Sequence, residues 1–219
     1  MALGGASWPK LGSDGGWAEI LKARGVEVTP LAPANCGFTI AWNEIFRARF
    51  AGQPLKNVSL HAGGHSVRGE CLITQYGIEG GAVYALAPIL REAIARNGSA
   101  ELCIDLRPDA TLEHLAKKLE RPKRAQSMAN VLRKAASLSP LEINLMREAH
   151  KGNLGTECIP IAKNIKANIL TLTGAADIAR AISTAGGISF AALDARLMLR
   201  ALPGRSEEHT SELQSRFGI

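Results

Sequence analysis

Apolar residues recur along this chain in two rhythms that alternate several times. Trp17, Ile20 and Leu21 stand at helical spacing, with Ser13 or Asp14 placed to cap that helix and Gly25 to end it. From Val26 to Leu31 the pattern alternates as a strand does. Pro30 and Pro33 are expected to break the chain before a second strand-like run, Phe38 to Trp42. LKNVSLHA and SVRGECLIT alternate on either side of Gly63-Gly64, which predicts a hairpin. Ala82, Leu86, Ile89, Leu90, Ala93 and Ile94 return to helical spacing. Pro88 is expected to kink that helix or start its second half, and Asn97-Gly98 to stop it. AELCIDLRP then reads as a strand.

From Thr111 to about Lys166 the period is helical throughout. LEHLAKKLER, SMANVLRKAA and SPLEINLMREAH are three short amphipathic segments, the third announced by Ser139-Pro140, a cap followed by a first-turn proline. Pro160 is expected to interrupt a fourth. ANILTLTG and ARAISTAGGI read as two further strands. A helical block inside a β-rich stretch points to an insertion rather than to domains in tandem.

Composition narrows the class without naming a function. Of the 219 residues 46% are hydrophobic and 21% charged, the balance of a globular protein. No run approaches the roughly twenty apolar residues of a membrane helix. The opening residues lack a basic stretch followed by an apolar one, so no secretory signal is read there. Cys36, Cys71, Cys103 and Cys158 form no C-x-x-C pair and no metal-ligand spacing. They are expected to be reduced, mostly buried thiols of a cytoplasmic protein. The net charge of +6 is compatible with a nucleic acid, an anionic cofactor or only a solvated surface. The last fifteen residues, from Arg205, are set apart: RSEEHTSELQS resembles the in-frame translation of a sequencing adapter, so 205–219 is expected to be a non-native tail, with the natural chain continuing beyond Gly204.

Four segments in order carry a family resemblance. ALGGASWPKLGSDG resembles an internal glycine motif of the YhiN/BaiN-like (aminoacetone-oxidase-like) FAD-dependent flavoproteins. AGQPLKNVSL resembles the start of that family's inserted β-domain, RGECLITQYGIEGGAVYAL its G-E-x-L-x-T-x-x-G-I-x-G motif, and ISTAGGISFAALDARLMLRALPG the segment returning the chain to the cofactor domain. The resemblance covers residues 2–204. Many members carry T-H-x-G-x-S-G-P where this chain reads Thr74-Gln75-Tyr76-Gly77-Ile78-Glu79-Gly80-Gly81, so no role of the usual His is carried over.

The fold class implied is α/β: an α+β fragment in which a partial FAD-binding, Rossmann-like domain carries an inserted β-rich domain and a small helical subdomain. The expected boundaries are 1–27 and 189–204 for the FAD domain, 28–110 and 167–188 for the insertion, and 111–166 for the helices. The implied function is FAD-dependent redox chemistry on a small molecule, with NAD(P)H or oxygen as redox partner. The family's G-x-G-x-x-G turn does not occur in the 219 residues, so the chain alone is expected to hold FAD poorly and to be inactive.

Glycines let main chain approach a dinucleotide closely. Gly4, Gly5, Gly12 and Gly15 are therefore candidate cofactor contacts, with Ser7 and Ser13 as hydroxyl donors and Trp8-Pro9 stiffening the turn. Gly186 and Gly187 are candidates for the same cofactor or a strand turn. Thr74, Tyr76, Gly77 and Glu79 are candidates for a substrate pocket, although Tyr76 on a strand also fits an ordinary core position, and Glu70 and Glu79 a solvated surface. His61, His65, His114 and His150 stand in unrelated contexts, no catalytic residue is named, and no metal site is expected. A rival reading takes the basic helical block, with Lys117, Lys118, Arg121, Lys123, Arg124, Arg133, Lys134, Arg147, Lys151, Lys163 and Lys166, as a nucleic-acid-binding module. A third takes the chain as a non-catalytic binding domain.

Overall fold

A computed structural model describes residues 3–120 and 127–206. Arg121, Lys123, Arg124 and residues 207–219 of the expected tail lie outside them. The chain is a mixed α/β protein and splits into two compact units, between Cys36 and Gly37 and again between Ala175 and Ala176. Each is described by itself.

The central unit, Gly37–Ala175, is built on one antiparallel sheet. Its strands are β2 (Phe38–Thr39), β3 (Pro54–Ala62), β4 (His65–Ile73), β5 (Gly77–Glu79), β6 (Ala100–Asp105), β7 (Asn168–Leu172) and β8 (Gly174–Ala175), in the order β7-β6-β3-β4-β5-β2-β8. The two edge strands, β7 and β8, are one stretch of chain parted only by Thr173. The sheet therefore closes on itself as a barrel, which removes its open edges. At the seam the Thr173 amide donates to the Thr39 carbonyl (2.9 Å), and the Thr39 and Thr173 hydroxyls pair at 3.0 Å. Alternation sets the faces. Leu102, Ile104, Leu170 and Leu172 are at most 3% exposed, while Glu101, Ile169 and Thr171 between them face outward. The β3–β4 hairpin turns at Gly63 (φ 54°) and Gly64 (φ 82°), both in the left-handed region that a tight two-residue turn requires.

Helices fill the connections. α2 (Glu44–Phe50) joins β2 to β3, capped by the Asn43 side chain, which accepts from the Phe46 amide. α3 (Gly81–Ala85) and α4 (Ala87–Asn97) lie between β5 and β6. Pro88 falls in the first turn of α4, and Gly98 (φ 76°) ends it. α5 (Leu112–Leu119), α6 (Met128–Ala135), α7 (Pro140–Ala149) and α8 (Cys158–Lys166) lie between β6 and β7. α7 opens on a full capping box: the Glu142 amide donates to Ser139 Oγ, and the Ser139 amide donates to the Glu142 carboxylate. α8 corrects an expectation. Pro160 does not interrupt it, because it falls in the first turn, where no intrahelical amide bond is lost.

The other unit holds both ends of the described chain. α1 (Trp17–Lys22) precedes β1 (Val28–Pro33), which pairs antiparallel with β9 (Thr184–Ile188). Leu21, Val26, Ile188, Leu193 and Leu199 form its core. Three local expectations change here. Gly16, not Ser13 or Asp14, sits at the start of α1, and the Asp14 carboxylate instead accepts from the Gly16 amide at 2.9 Å. Pro30 lies inside β1 rather than breaking it, since the ladder shifts register between Thr29 and Ala32, where a proline's missing donor is tolerated, and Pro33 is the last residue of the strand, paired with Thr184. In the central unit, β2 spans two residues rather than continuing to Trp42. β1 and β9 pair with each other within the unit of the two termini. Arg205 and Ser206, the first residues of the expected tail, fold back on this unit: the Leu199 amide donates to the Arg205 carbonyl at 2.8 Å, and Ser206 bridges Met198.

Candidate functional site

In the unit of the two termini, the glycine segment before α1 meets β9 at a single side chain. The Ala6 and Ser7 amides both donate to Thr184 Oγ1, at 2.9 and 3.1 Å. The Gly4 carbonyl accepts from the Trp17 indole at 3.2 Å. A methyl group at Gly5 would lie 2.5 Å from Thr184 Oγ1, so only glycine fits. At Gly15 (φ 70°) it would lie 2.7 Å from Leu31 Cδ1 and 2.9 Å from the Ala6 methyl. At Gly186 (φ 88°) it would lie 2.2 Å from the Pro30 carbonyl oxygen. Gly187 stands opposite Thr29 in the β1–β9 ladder. The structure thus brings Gly4, Gly5, Ser7, Gly186 and Gly187 into one unit around Thr184, a residue that sequence reasoning missed because a lone threonine in a strand carries no signal.

These contacts test how well the segment suits a flavin dinucleotide. A phosphate cradle needs unengaged amides and glycines whose empty side faces the ligand. Here the Ala6 and Ser7 amides are engaged, and the empty sides of Gly5, Gly15 and Gly186 face the protein's own atoms. Gly12 (φ 96°) differs, since a methyl group there would meet nothing within 4 Å. Gly12 ends the short turn Pro9–Leu11, ahead of which Trp8 is held left-handed (φ 58°, ψ 57°) with its side chain half exposed. Gly4 and Ser13 lie close together, Ser13 Oγ being 3.4 Å from where a Gly4 side chain would begin. By themselves the described residues do not compose a dinucleotide phosphate site.

The residues expected at a substrate pocket lie in the central unit. Thr74 to Gly77 form a tight turn: Thr74 Oγ1 accepts from the Tyr76 and Gly77 amides at 3.3 and 3.0 Å, and the Thr74 amide donates to the Gly77 carbonyl at 2.8 Å. The Trp42 indole closes it by donating to the carbonyls of Thr74 (3.1 Å) and Gly77 (3.3 Å). Gly77 is buried, with no room for a side chain against the Phe38 carbonyl. Glu79 is half-buried, whereas Tyr76 is exposed rather than in the core.

A cleft of about 950 Å³ lies elsewhere in the central unit, between the start of α2, the end of α7 and the outer face of β7. Ile45, Ile169, Arg147 and Lys151 are among its lining. Across it the Asn43 amide donates to the Glu148 carboxylate at 3.0 Å, and the Asn43 side-chain amide donates to the same group. A cavity of about 480 Å³ lies beside α5, next to the polar network that ties the helices to the barrel. Arg107 donates to both Glu142 oxygens (2.5 and 3.0 Å) and to the Ala136 and Ser137 carbonyls. Lys166 pairs with Asp105 at 2.6 Å and donates to the carbonyls of Arg107 and Ala110. Lys166, one of the eleven cations of the nucleic-acid reading, is therefore committed internally, and nothing favours that reading.

The cysteines split two and two. Cys36 and Cys71 are buried, and Cys103 and Cys158 half-buried. Burial, with Glu70 adding, pushes the Cys71 thiol up to about 12, and burial also raises Cys103, so neither is a ready nucleophile. Among the described residues no cluster of three or more His, Cys, Asp or Glu could hold a metal ion, and no helix is long and apolar enough to cross a membrane.

A closed barrel with a block of helices between two of its strands matches what the family comparison finds. Residues 32–183 match the family described as "HI0933-like protein barrel and H2TH domain". No curated protein matches the chain. The match takes in the whole barrel and its four-helix insertion, and on that basis the chain belongs to the HI0933-like flavoprotein family, a family of FAD-dependent oxidoreductases.

Proposed function

We propose that this chain is the barrel-bearing part of an FAD-dependent oxidoreductase of the YhiN/BaiN-like branch, acting on a small molecule. The observation that carries the reading is the family match across the barrel and helices, 32–183. The termini-bearing unit supplies the cofactor side, where Gly12, Ser13 and the Trp8-Pro9 turn are the residues left facing outward. The barrel unit, with Thr74, Tyr76, Gly77 and Glu79, supplies the substrate side. In such enzymes the flavin carries the electrons and the protein binds, orients and excludes water. No step is assigned to a residue, because the glycine segment spends its amides on Thr184. A nicotinamide nucleotide as electron donor rests on the resemblance alone.

Titration of FAD into the purified 219-residue chain, followed by flavin fluorescence, tests the cofactor side. Binding weaker than about 0.1 mM is expected where the phosphate amides are not preorganised. A longer chain with a strand-G-x-G-x-x-G-helix segment ahead of Gly4 should purify yellow, with one flavin per chain. If that longer protein purifies colourless and takes up no FAD, the oxidoreductase reading fails.

A further inference from the structure

Two successive backbone amides aimed at one point make a small positive concavity, the arrangement that many proteins use to hold an anion. The Ala6 and Ser7 amides make such a concavity, and Thr184 Oγ1 sits in it at 2.9 and 3.1 Å, 178 and 177 residues along the chain. Gly5 has no side chain because Thr184 is there. Two residues after Thr184, Gly186 presses against the Pro30 carbonyl, so the strand that delivers the hydroxyl is itself held in register.

From this we infer that Thr184 is the positioning residue of the glycine segment. Its hydroxyl is the internal occupant of the Ala6–Ser7 concavity and shapes the loop before any ligand arrives, so that a dinucleotide phosphate is excluded from these two amides. The segment reads as a ligand loop, yet its G-G-x-S core recognises a threonine of its own chain. Only the identity of the excluded phosphate depends on the flavoprotein reading. The occupancy of the concavity does not, and it can be tested with no flavin present.

Amide hydrogen exchange on the full 219-residue chain separates the possibilities. Without ligand, the Ala6 and Ser7 amides should exchange at least about tenfold slower than free peptide, and 10 mM inorganic phosphate should leave them unchanged. Thr184→Val keeps the shape but loses the acceptor, and should speed both amides about tenfold while Leu102 and Leu170 of the barrel stay protected. Thr184→Ser should restore the protection. Gly5→Ala, which intrudes on Thr184 without altering it, should release the same amides. Amides that are unprotected in the wild-type chain and become protected on adding phosphate would overturn the assignment, as would equal exchange in Thr184→Val and wild type. The wild-type arm requires no variant to fold. If the flavoprotein reading fails, FAD is not bound, yet the ligand-free protection remains.

Discussion

The two units reach order by different physical routes. The barrel is ordered by side chains: apolar residues alternate along β6 and β7, both edges of the sheet belong to one stretch of chain, and closure follows from burying a single face. The unit of the termini has a small apolar cluster of Leu21, Val26, Ile188, Leu193 and Leu199 among its described residues. Close approaches at glycines add to it, Gly5 facing the Thr184 side chain, Gly15 the Leu31 side chain and Gly186 the Pro30 carbonyl. A side-chain core adjusts to a change of shape by repacking, whereas a methyl group added at Gly186 would meet backbone that has little to give. The barrel should therefore absorb conservative changes that the glycine contacts cannot.

The sharpest way to break this comparison is a single methyl group. Gly186→Ala would put one 2.2 Å from the Pro30 carbonyl in a left-handed backbone, and should cost about 3 kcal/mol or more. Urea unfolding followed at Trp17 would measure it. Gly12→Ala, left-handed but open, should cost only about 1–2 kcal/mol. Equal losses for the two would show that conformation, and not contact, governs this unit.

The barrel offers the opposite case. Asn168 is fully buried on the face that carries Leu170 and Leu172, and among the described residues neither its side-chain nitrogen nor its side-chain oxygen has a hydrogen-bond partner. Asn168→Leu, of similar branched shape, should stabilise the barrel by about 1–3 kcal/mol, read as a rise in the midpoint of urea unfolding followed at Trp42. A loss of stability would mean that the amide has a role the apolar face does not explain.

The smallest effect is a pH dependence. The amides of Met198 and Arg196 donate to the Asp194 carboxylate and hold it below the usual carboxylate range. A carboxylate with a lowered folded value contributes stability above its unfolded value, near pH 4, and that contribution fades as the pH falls through the folded one. Asp194→Asn should flatten the acid-side slope of unfolding seen by Trp17 and leave the barrel's slope unchanged. An unchanged slope at Trp17 would remove Asp194 from the account of this unit.

Much of the barrel was legible along the chain because its signals are local. Gly63-Gly64 marks the hairpin, Pro88 the break between α3 and α4, and Ser139-Pro140 with Glu142 the start of α7. The prolines misled where their setting was not local. Pro160 is harmless in a first turn, and Pro30 is tolerated where the β1–β9 register shifts. At the candidate site, the glycines could be picked out by type, yet their neighbours could not. Nothing near Gly5 points to Thr184, and nothing near Arg107 points to Glu142.

By itself, then, the sequence determined the longer strands and helices and their order, the helical insertion, and the family resemblance, while α2, β5 and β8 were not read from it. Those depend on periodicity and on residue types at fixed short spacing, which a linear pattern records. Only the tertiary structure decided that β7 and β8 close one sheet, that Lys166 and Arg107 are committed internally, and that the glycine loop is organised around Thr184. Each of those depends on which atoms meet after residues far apart in the chain are brought together, and no spacing along the chain encodes that distance.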